Sequence, residues 1–320
     1  MDNIIRIGTR ESELAVWQAT LVKELLEDAG VKAALVFIKS EGDTDLVTPL
    51  YEMGVQGIFT RSLDIALLDQ RIDIAVHSMK DVPTQLPAGI VQAAVLKRGN
   101  HKDLFVPHPV TKADELFSRS LKEKDLPEIF ESAVHTIATS SIRRKAQWLH
   151  RYPQHQLDNL RGNVNTRLKK LSDSNWSGAI FAAAGLERIK LRPTNAIELD
   201  WMLPAPAQGA IMIVCRATDE PVFNIVSTLN HEETSACTYI EKDFLRALMG
   251  GCSTPISALA QYDKKDIYFR GSLLSPDGKQ KIEIEKYVAK DAVTSFGARM
   301  AQELLENGGK EIAASFKDGK

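Results

Sequence analysis

Hydrophobic positions along the first two-thirds of the 320-residue chain switch between two periods. A short apolar run, NIIRIGTR, is followed by ESELAVWQATLVKELLEDAG, in which Leu14, Trp17, Leu21 and Leu25 recur at three- and four-residue spacing. That spacing gathers them on one helical face, and Gly30 just past the last of them marks a helix stop. AALVFIKS predicts a second strand and FTRSLDIALLDQRI a helix. IDIAVHSM predicts a strand with Ile72, Ile74 and Val76 alternating. HTIATSSIRRKAQWLHRY reads as strand, serine cap and helix, and both QLDNLRGNVNTRLKKL and GAIFAAAGLERI repeat that plan. Strands alternating with helices predict an α/β fold with a mainly parallel sheet and ligand sites at the carboxyl ends of its strands.

The pattern is interrupted twice. After KRGNHKDLFVPHPV comes TKADELFSRSLKEKDLPEIFES, so charged that it predicts a surface insertion with some helix. LDWMLPAPAQGA packs prolines and glycine into a short span, which marks a hinge or crossing point, and AIMIVCRA follows as a buried strand. From about His231 the texture changes. Helical SACTYIEKDFLRALMG leads into a glycine-rich loop, IYFRGSLLS and QKIEIEKYVA flank the hairpin signal PDG, and AVTSFGARMAQELLENGG ends the pattern as a helix. This is a small α+β unit. No internal repeat or low-complexity segment is visible.

Composition narrows the function classes. A chain of this length divides into two or three domains. A net charge of -2 with 26% charged residues argues against the basic surface of a nucleic-acid binder. The start, MDNIIRIGTR, predicts no signal peptide, and no stretch approaches the roughly 20 apolar residues of a membrane span. Three cysteines (Cys215, Cys237, Cys252) without a CxxC pair argue against a disulfide framework or a zinc site, and no histidine-rich metal pattern appears. A reducing cytoplasm is the expected compartment.

The cations are placed suggestively. Arg10 follows the first strand, with Ser12 at a helix start. Lys80 and Asp81 follow IDIAVHSM, and Arg143 and Arg144 follow ATSS. Arg161, Gly162 and Arg167 surround another strand-to-helix switch, and Arg188 follows AAAGLE. Helix starts favour anions, and an arginine fork matches carboxylates, so these positions together predict a site for a ligand with several carboxylates or phosphates. Asp81, the carboxylate among them, either stabilises a developing cation or simply caps its turn. His77 reads as a packed strand histidine. Phosphate-loop, nucleophile-elbow and dinucleotide fingerprints are missing. Cys252, in LMGGCSTPIS, is either a buried turn cysteine or a reactive thiol. A two-lobed anion binder and a thiol-dependent enzyme are therefore both consistent with the residues.

Seven separated segments decide between these readings. RIGTRESELAVWQA, DIAVHSMKDVP, ATSSIRR, LRGNVNTRL, AAAGLERI, LPAPAQGA and GGCSTPI, in this order along almost the whole chain, resemble the porphobilinogen deaminase family. The resemblance implies two doubly wound domains like those of type II periplasmic binding proteins, 1–103 with 209–228 and 104–208, and a smaller α+β domain over 229–320. It implies a deaminating transferase that adds four porphobilinogen molecules stepwise to a covalent, self-assembled dipyrromethane cofactor. Ammonia is lost and hydroxymethylbilane released, in tetrapyrrole biosynthesis. Cys252 matches the family's thioether cysteine and Asp81 its catalytic aspartate. Ser78, Lys80, Thr139, Ser141, Arg143, Arg144, Arg161 and Gly162 match cofactor contacts, and Arg10, Ser12, Arg167, Arg188 and Gln208 match substrate contacts. A monomer with no metal, nucleic-acid or membrane partner is implied. The chain departs from the family pattern at Val55 and Gln56, where a lid often carries Gly-Gly-Lys-Gly, at Ala207 and Ser257, each in place of a glycine, and in a longer stretch between Pro107 and Val134.

Overall fold

A computed structural model describes residues 4–39, 60–109, 123–248 and 254–314. The chain begins with β1 (Ile5–Thr9), α1 (Glu13–Asp28), β2 (Ala33–Phe37), α2 (Arg61–Leu68), β3 (Ile74–Ser78) and β4 (Ile90–Val95). Gly30 ends α1 as its position predicts. At φ +80° its N–H donates to Glu27 O, and the next N–H, of Val31, reaches Leu26 O, both at 2.9 Å. The face of α1 turned to the sheet is not the predicted one. Ala19, Val22 and Leu26 are fully buried, while Trp17, Leu21 and Leu25 pack half-buried beside them. Ala19 is small enough to let the helix approach closely, which turns the larger side chains to the flanks.

The chain then crosses to a second unit: β5 (Asp103–Pro107), α3 (Leu126–Ser132), β6 (Thr136–Ala138), α4 (Ile142–Arg151), β7 (Gln156–Asp158), α5 (Val164–Ser172), β8 (Gly178–Ala182), α6 (Ala183–Arg188) and β9 (Ile197–Glu198). It returns as β10 (Ile211–Arg216) and α7 (Glu220–Ser227). The part of the charged insertion that is described is not a surface appendage. Leu126, Ile129 and Phe130 of α3, at helical spacing, are buried against Trp148 and Tyr152. Val55 and Gln56 of the expected lid lie outside the described residues.

Both sheets have five strands, ordered β2-β1-β3-β10-β4 and β7-β6-β8-β5-β9. In each the first three run parallel and the fourth is antiparallel, so the sheets are mixed rather than mainly parallel. The reversal has a topological cause: β5 and β10 are the strands entered just after a crossing, so each comes into its sheet from the opposite end. This paired topology is that of the type II periplasmic-binding-protein lobes, and it sets the carboxyl ends of β1, β3, β6 and β8 around the space between the units.

The third unit packs α8 (Glu232–Ala247) and α9 (Phe296–Leu304) on one face of an antiparallel sheet of β11 (Ile256–Asp263), β12 (Asp266–Leu274) and β13 (Lys281–Ala289). β11 is absent from the pattern reading because its first five residues are all buried and give no alternation. Phe244 and Phe269 meet edge-on at its centre, 5.2 Å apart. Gly278, in the predicted PDG turn, has φ +74° and its carbonyl accepts from His150 of α4, which ties this unit to the second.

A buried ion pair joins the first and third units. Arg98, just past β4, donates to both oxygens of Glu241 at 2.6 and 3.1 Å. Glu241, fully buried in α8, also accepts the N–H groups of Ala207 and Ala260 at 2.6 and 2.7 Å. Ala207 adopts φ +61°, the left-handed conformation that suits the glycine the family pattern puts there.

Candidate active site

The two α/β units enclose a cleft of about 740 Å³, with Thr254, Ile256 and Leu245 of the third unit on its wall. The local sequence explains each cationic placement. Arg10 leaves β1 as the chain turns into α1, and Ser12 is the N-cap of that helix in extended conformation with no side-chain capping bond. β3 runs into a single tight turn, Met79–Asp81, which delivers Lys80 and Asp81 to the floor while Met79 anchors it in the core. Ser141 caps α4 by accepting the Arg144 N–H, so Arg143 and Arg144 lie in its first turn. Asn163 caps α5 in the same way, and Gly162 before it takes φ +114°, where an added Cβ would stand 2.7 Å from Thr166.

The cations respond to one another. Burial pulls Lys80 down to about 8; Asp81 opposes that shift, and Arg144 adds to it. Arg167 is pulled down to about 10, first by burial and then by Arg144, although Asp81 works in the other direction. Arg188, also brought down to about 10 by burial, donates to Gly209 O at 2.7 Å and lies 5.6 Å over the Trp17 ring. So many positive groups in a partly buried space make a site that gains from a polyanion, with Asp81 as the carboxylate whose charge acts on Lys80 and Arg167.

Arg143 and Arg144 are tied down by Asp103, which no sequence signal singled out. Asp103 is fully buried at the start of β5. Its oxygens accept from Arg143 Nη2 at 2.7 Å, from Arg144 Nε and Nη2 at 3.1 and 2.8 Å, and from Gln208 Nε2 at 2.9 Å. Burial on its own would raise the Asp103 carboxyl, but the two guanidiniums hold it well below the usual carboxylate range. Arg143 also donates to Leu203 O and Arg144 to Ile180 O, yet Arg143 Nε has no hydrogen-bond partner among the described residues. Gln208 turns its amide inward to His101 O and Asp103, so its hydrogen bonds serve the crossing between units.

Most of the expected residues meet on the cleft wall: Arg10, Ser12, Ser78, Lys80 and Asp81 from the first unit, Ser141, Arg143, Arg144, Arg161, Gly162, Arg167 and Arg188 from the second, and Gln208 from the return crossing. Thr139 does not reach it. It is buried below, and its hydroxyl accepts the Ser141 N–H at 3.3 Å. Cys252 lies outside the described residues, but Thr254, two residues on, lines the cleft. Sequence reasoning missed Lys39 and Ser140 on the wall, and also Asn165, whose amide donates to Glu13 across the mouth at 2.8 Å. Only the position of Asn165 two residues after an N-cap asparagine could have signalled it.

Fold and site together define a two-lobed α/β protein with a cation-lined cleft suited to a polyanion between its lobes and a third unit at the cleft edge. The family model described as porphobilinogen deaminase, dipyromethane cofactor binding domain, matches residues 5–224, and that described as porphobilinogen deaminase, C-terminal domain, matches residues 235–306. The chain belongs to the porphobilinogen deaminase family. It polymerises porphobilinogen on a dipyrromethane cofactor in tetrapyrrole biosynthesis. Among solved structures the chain is similar to the methionine binding protein MetQ, at 13% identity and a TM-score of 0.43 over 72% of this chain and 90% of that one. It is also similar to a chain from work on glutathione import via GshT and the cystine importer TcyBC of Streptococcus mutans (13%, 0.40, 72% and 88%). A third is the BvgS VFT2 domain of Bordetella pertussis (11%, 0.37, 71% and 86%).

The residues present fit the cofactor. Dipyrromethane carries an acetate and a propionate on each ring, and the cleft offers guanidiniums from both lobes. Thr254, which lines the cleft, follows Cys252 by two residues, and two residues of chain span at most about 7 Å. No helix among the described residues is long and apolar enough to cross a membrane.

Proposed function

We propose that the chain carries out the hydroxymethylbilane synthase reaction in this cleft, with Asp81 as its catalytic carboxylate. The observation that carries the reading is the setting of Asp81: half-buried on the floor, close enough to Lys80 and Arg167 to act on the charge of both. Dipyrromethane, held through Cys252, supplies the nucleophilic pyrrole carbon. Loss of ammonia from porphobilinogen leaves a methylene-pyrrole cation, and a fixed carboxylate beside the ring nitrogen stabilises that charge as it forms. Lys80, Arg143, Arg144 and Arg161, with Ser78, Ser141 and the Gly162 turn, hold the acid arms of the bound chain. Arg10, Ser12, Arg167 and Arg188 hold those of the incoming porphobilinogen. Thr139 and Gln208 act from behind this set, through Ser141 and through Asp103.

The same reading divides the chain into 1–103 with 209–228, 104–208 and 229–320, and takes the protein as a cytoplasmic monomer. The test is Asp81→Asn. The variant is expected to fold and to carry the dipyrromethane mass while ammonia release falls about 10²–10³-fold, the scale of removing one preorganised electrostatic group. Near-normal turnover would remove Asp81 from the chemistry.

A further inference from the structure

A smaller pocket of about 80 Å³ opens beside Asp81. Its walls come from Ser12 and Gln18 of the α1 start, Thr60 before α2, and His77 and Ser78 at the end of β3. Arg10, Ser12, Ser78 and Asp81 belong to this pocket and to the cleft alike, so the two spaces communicate. It is too small for a pyrrole ring with two acid arms, but it has room for a few water molecules. Its polar lining is partly occupied with itself: Gln18 Nε2 donates to Ser78 Oγ at 2.8 Å.

His77 is the unexplained group. It is 6% exposed, and its Nε2 has no hydrogen-bond partner among the described residues. Its backbone is paired with Met212 inside the sheet, so the residue is fixed at the pocket wall. A buried ring nitrogen left unsatisfied is costly, and a polar pocket walled by the same residue is where ordered water is retained. Burial, and after it the charge of Arg10, pulls His77 down to about 4, so the ring is neutral at physiological pH. A neutral imidazole beside a guanidinium is a poor partner for a cation. It suits a small neutral molecule that both donates and accepts.

We infer that this pocket is a water site, and that His77 Nε2 holds in it the water consumed when the finished chain is released, an inference that rests on the proposed reading of the cleft. In that step the carbon–carbon bond between the product's first methylene carbon and the pyrrole carbon of the retained cofactor breaks. The electron pair stays with the pyrrole carbon, and the water oxygen bonds to the methylene carbon. One water proton remains on the new hydroxyl, and the other ends on the vacated pyrrole carbon. The four condensations consume no water, so loss of the site separates release from elongation.

The experiment follows chain lengths by intact mass on the holoenzyme, comparing His77→Leu with His77→Gln after a pulse of porphobilinogen. With His77→Leu the protein bearing four added units accumulates, release slows at least about tenfold, and the elongation steps stay within about twofold; His77→Gln restores release. Unchanged chain-length populations, or equal slowing of every step, would overturn the proposal. A high-resolution crystal structure of the unsubstituted holoenzyme provides a test independent of either variant. An ordered water within about 3 Å of His77 Nε2 is expected, and an empty pocket there would overturn the site. Absence of the dipyrromethane mass from the unsubstituted protein would instead count against the reading of the cleft.

Discussion

Asp103→Asn removes the charge at the start of β5, where the chain has just crossed into the second α/β unit. In the native protein one fully buried carboxylate satisfies Arg143, Arg144 and Gln208 together. An asparagine is nearly the same size, but it leaves two buried guanidiniums with no counter-charge and turns an N–H₂ group toward one of them. Breaking a buried pair by neutralising one partner costs about 3–5 kcal/mol. At an unfolding entropy of about 2.1 cal/mol/K per residue, that lowers Tm by roughly 4–8 °C if the chain melts as one unit. The sign with pH follows from the same bonds. Because the folded Asp103 carboxyl lies below its ordinary value, its contribution is complete above about pH 4 and is lost as pH falls through the folded value. Calorimetry of wild type and variant between neutral and acid pH should therefore show a lower Tm for Asp103→Asn that converges toward wild type in acid. An unchanged Tm with the acid limb intact would refute the reasoning and free Arg143 and Arg144 to serve only the ligand.

Three further outcomes follow. The ligand-free protein loses the Lys80 charge as pH rises through about 8, so assembly of the cofactor on the apoprotein should weaken above that pH; Lys80→Arg should shift the limb upward, and an unmoved limb would clear Lys80 of the role. Gly162→Ala forces a side chain onto Thr166 at φ +114° and should cost about 1–3 kcal/mol in a denaturant titration, with a loss of cofactor loading where the loop shifts. Trp17→Leu removes the ring under Arg188, and a loss of about 0.5–1 kcal/mol corresponds to a two- to fivefold rise in KM with kcat little changed.

What could be read from the sequence was local. The cations at strand-to-helix switches were legible because a strand end and a helix cap are written in adjacent residues, as in ATSSIRR and LRGNVNTRL. The roles of Arg143 and Arg144 as partners of Asp103 were not, since Asp103 opens an apolar strand 40 residues upstream of Arg143 and the pair forms only when β5 takes its place in the second sheet beside α4. Glu241 sits in YIEKDF and looks like an ordinary helix-surface acid. It is buried because Arg98 and two backbone N–H groups converge on it from other parts of the chain. Periodicity failed where burial is complete, in β11, and where charge conceals a short apolar helix, in α3. His77 was read as a packed strand histidine and is buried; its unpartnered nitrogen needed the pocket to be seen.

The account turns on a thiol that the described residues only approach, through Thr254 on the cleft wall. Intact mass of the purified protein, followed by peptide mapping across residues 248–257, tests it most directly. The prediction is an added mass equal to two linked pyrrole units, localised to Cys252. An unmodified Cys252, unchanged after incubation with porphobilinogen and without release of ammonia, would contradict the account and leave an anion-binding cleft with a structural cysteine.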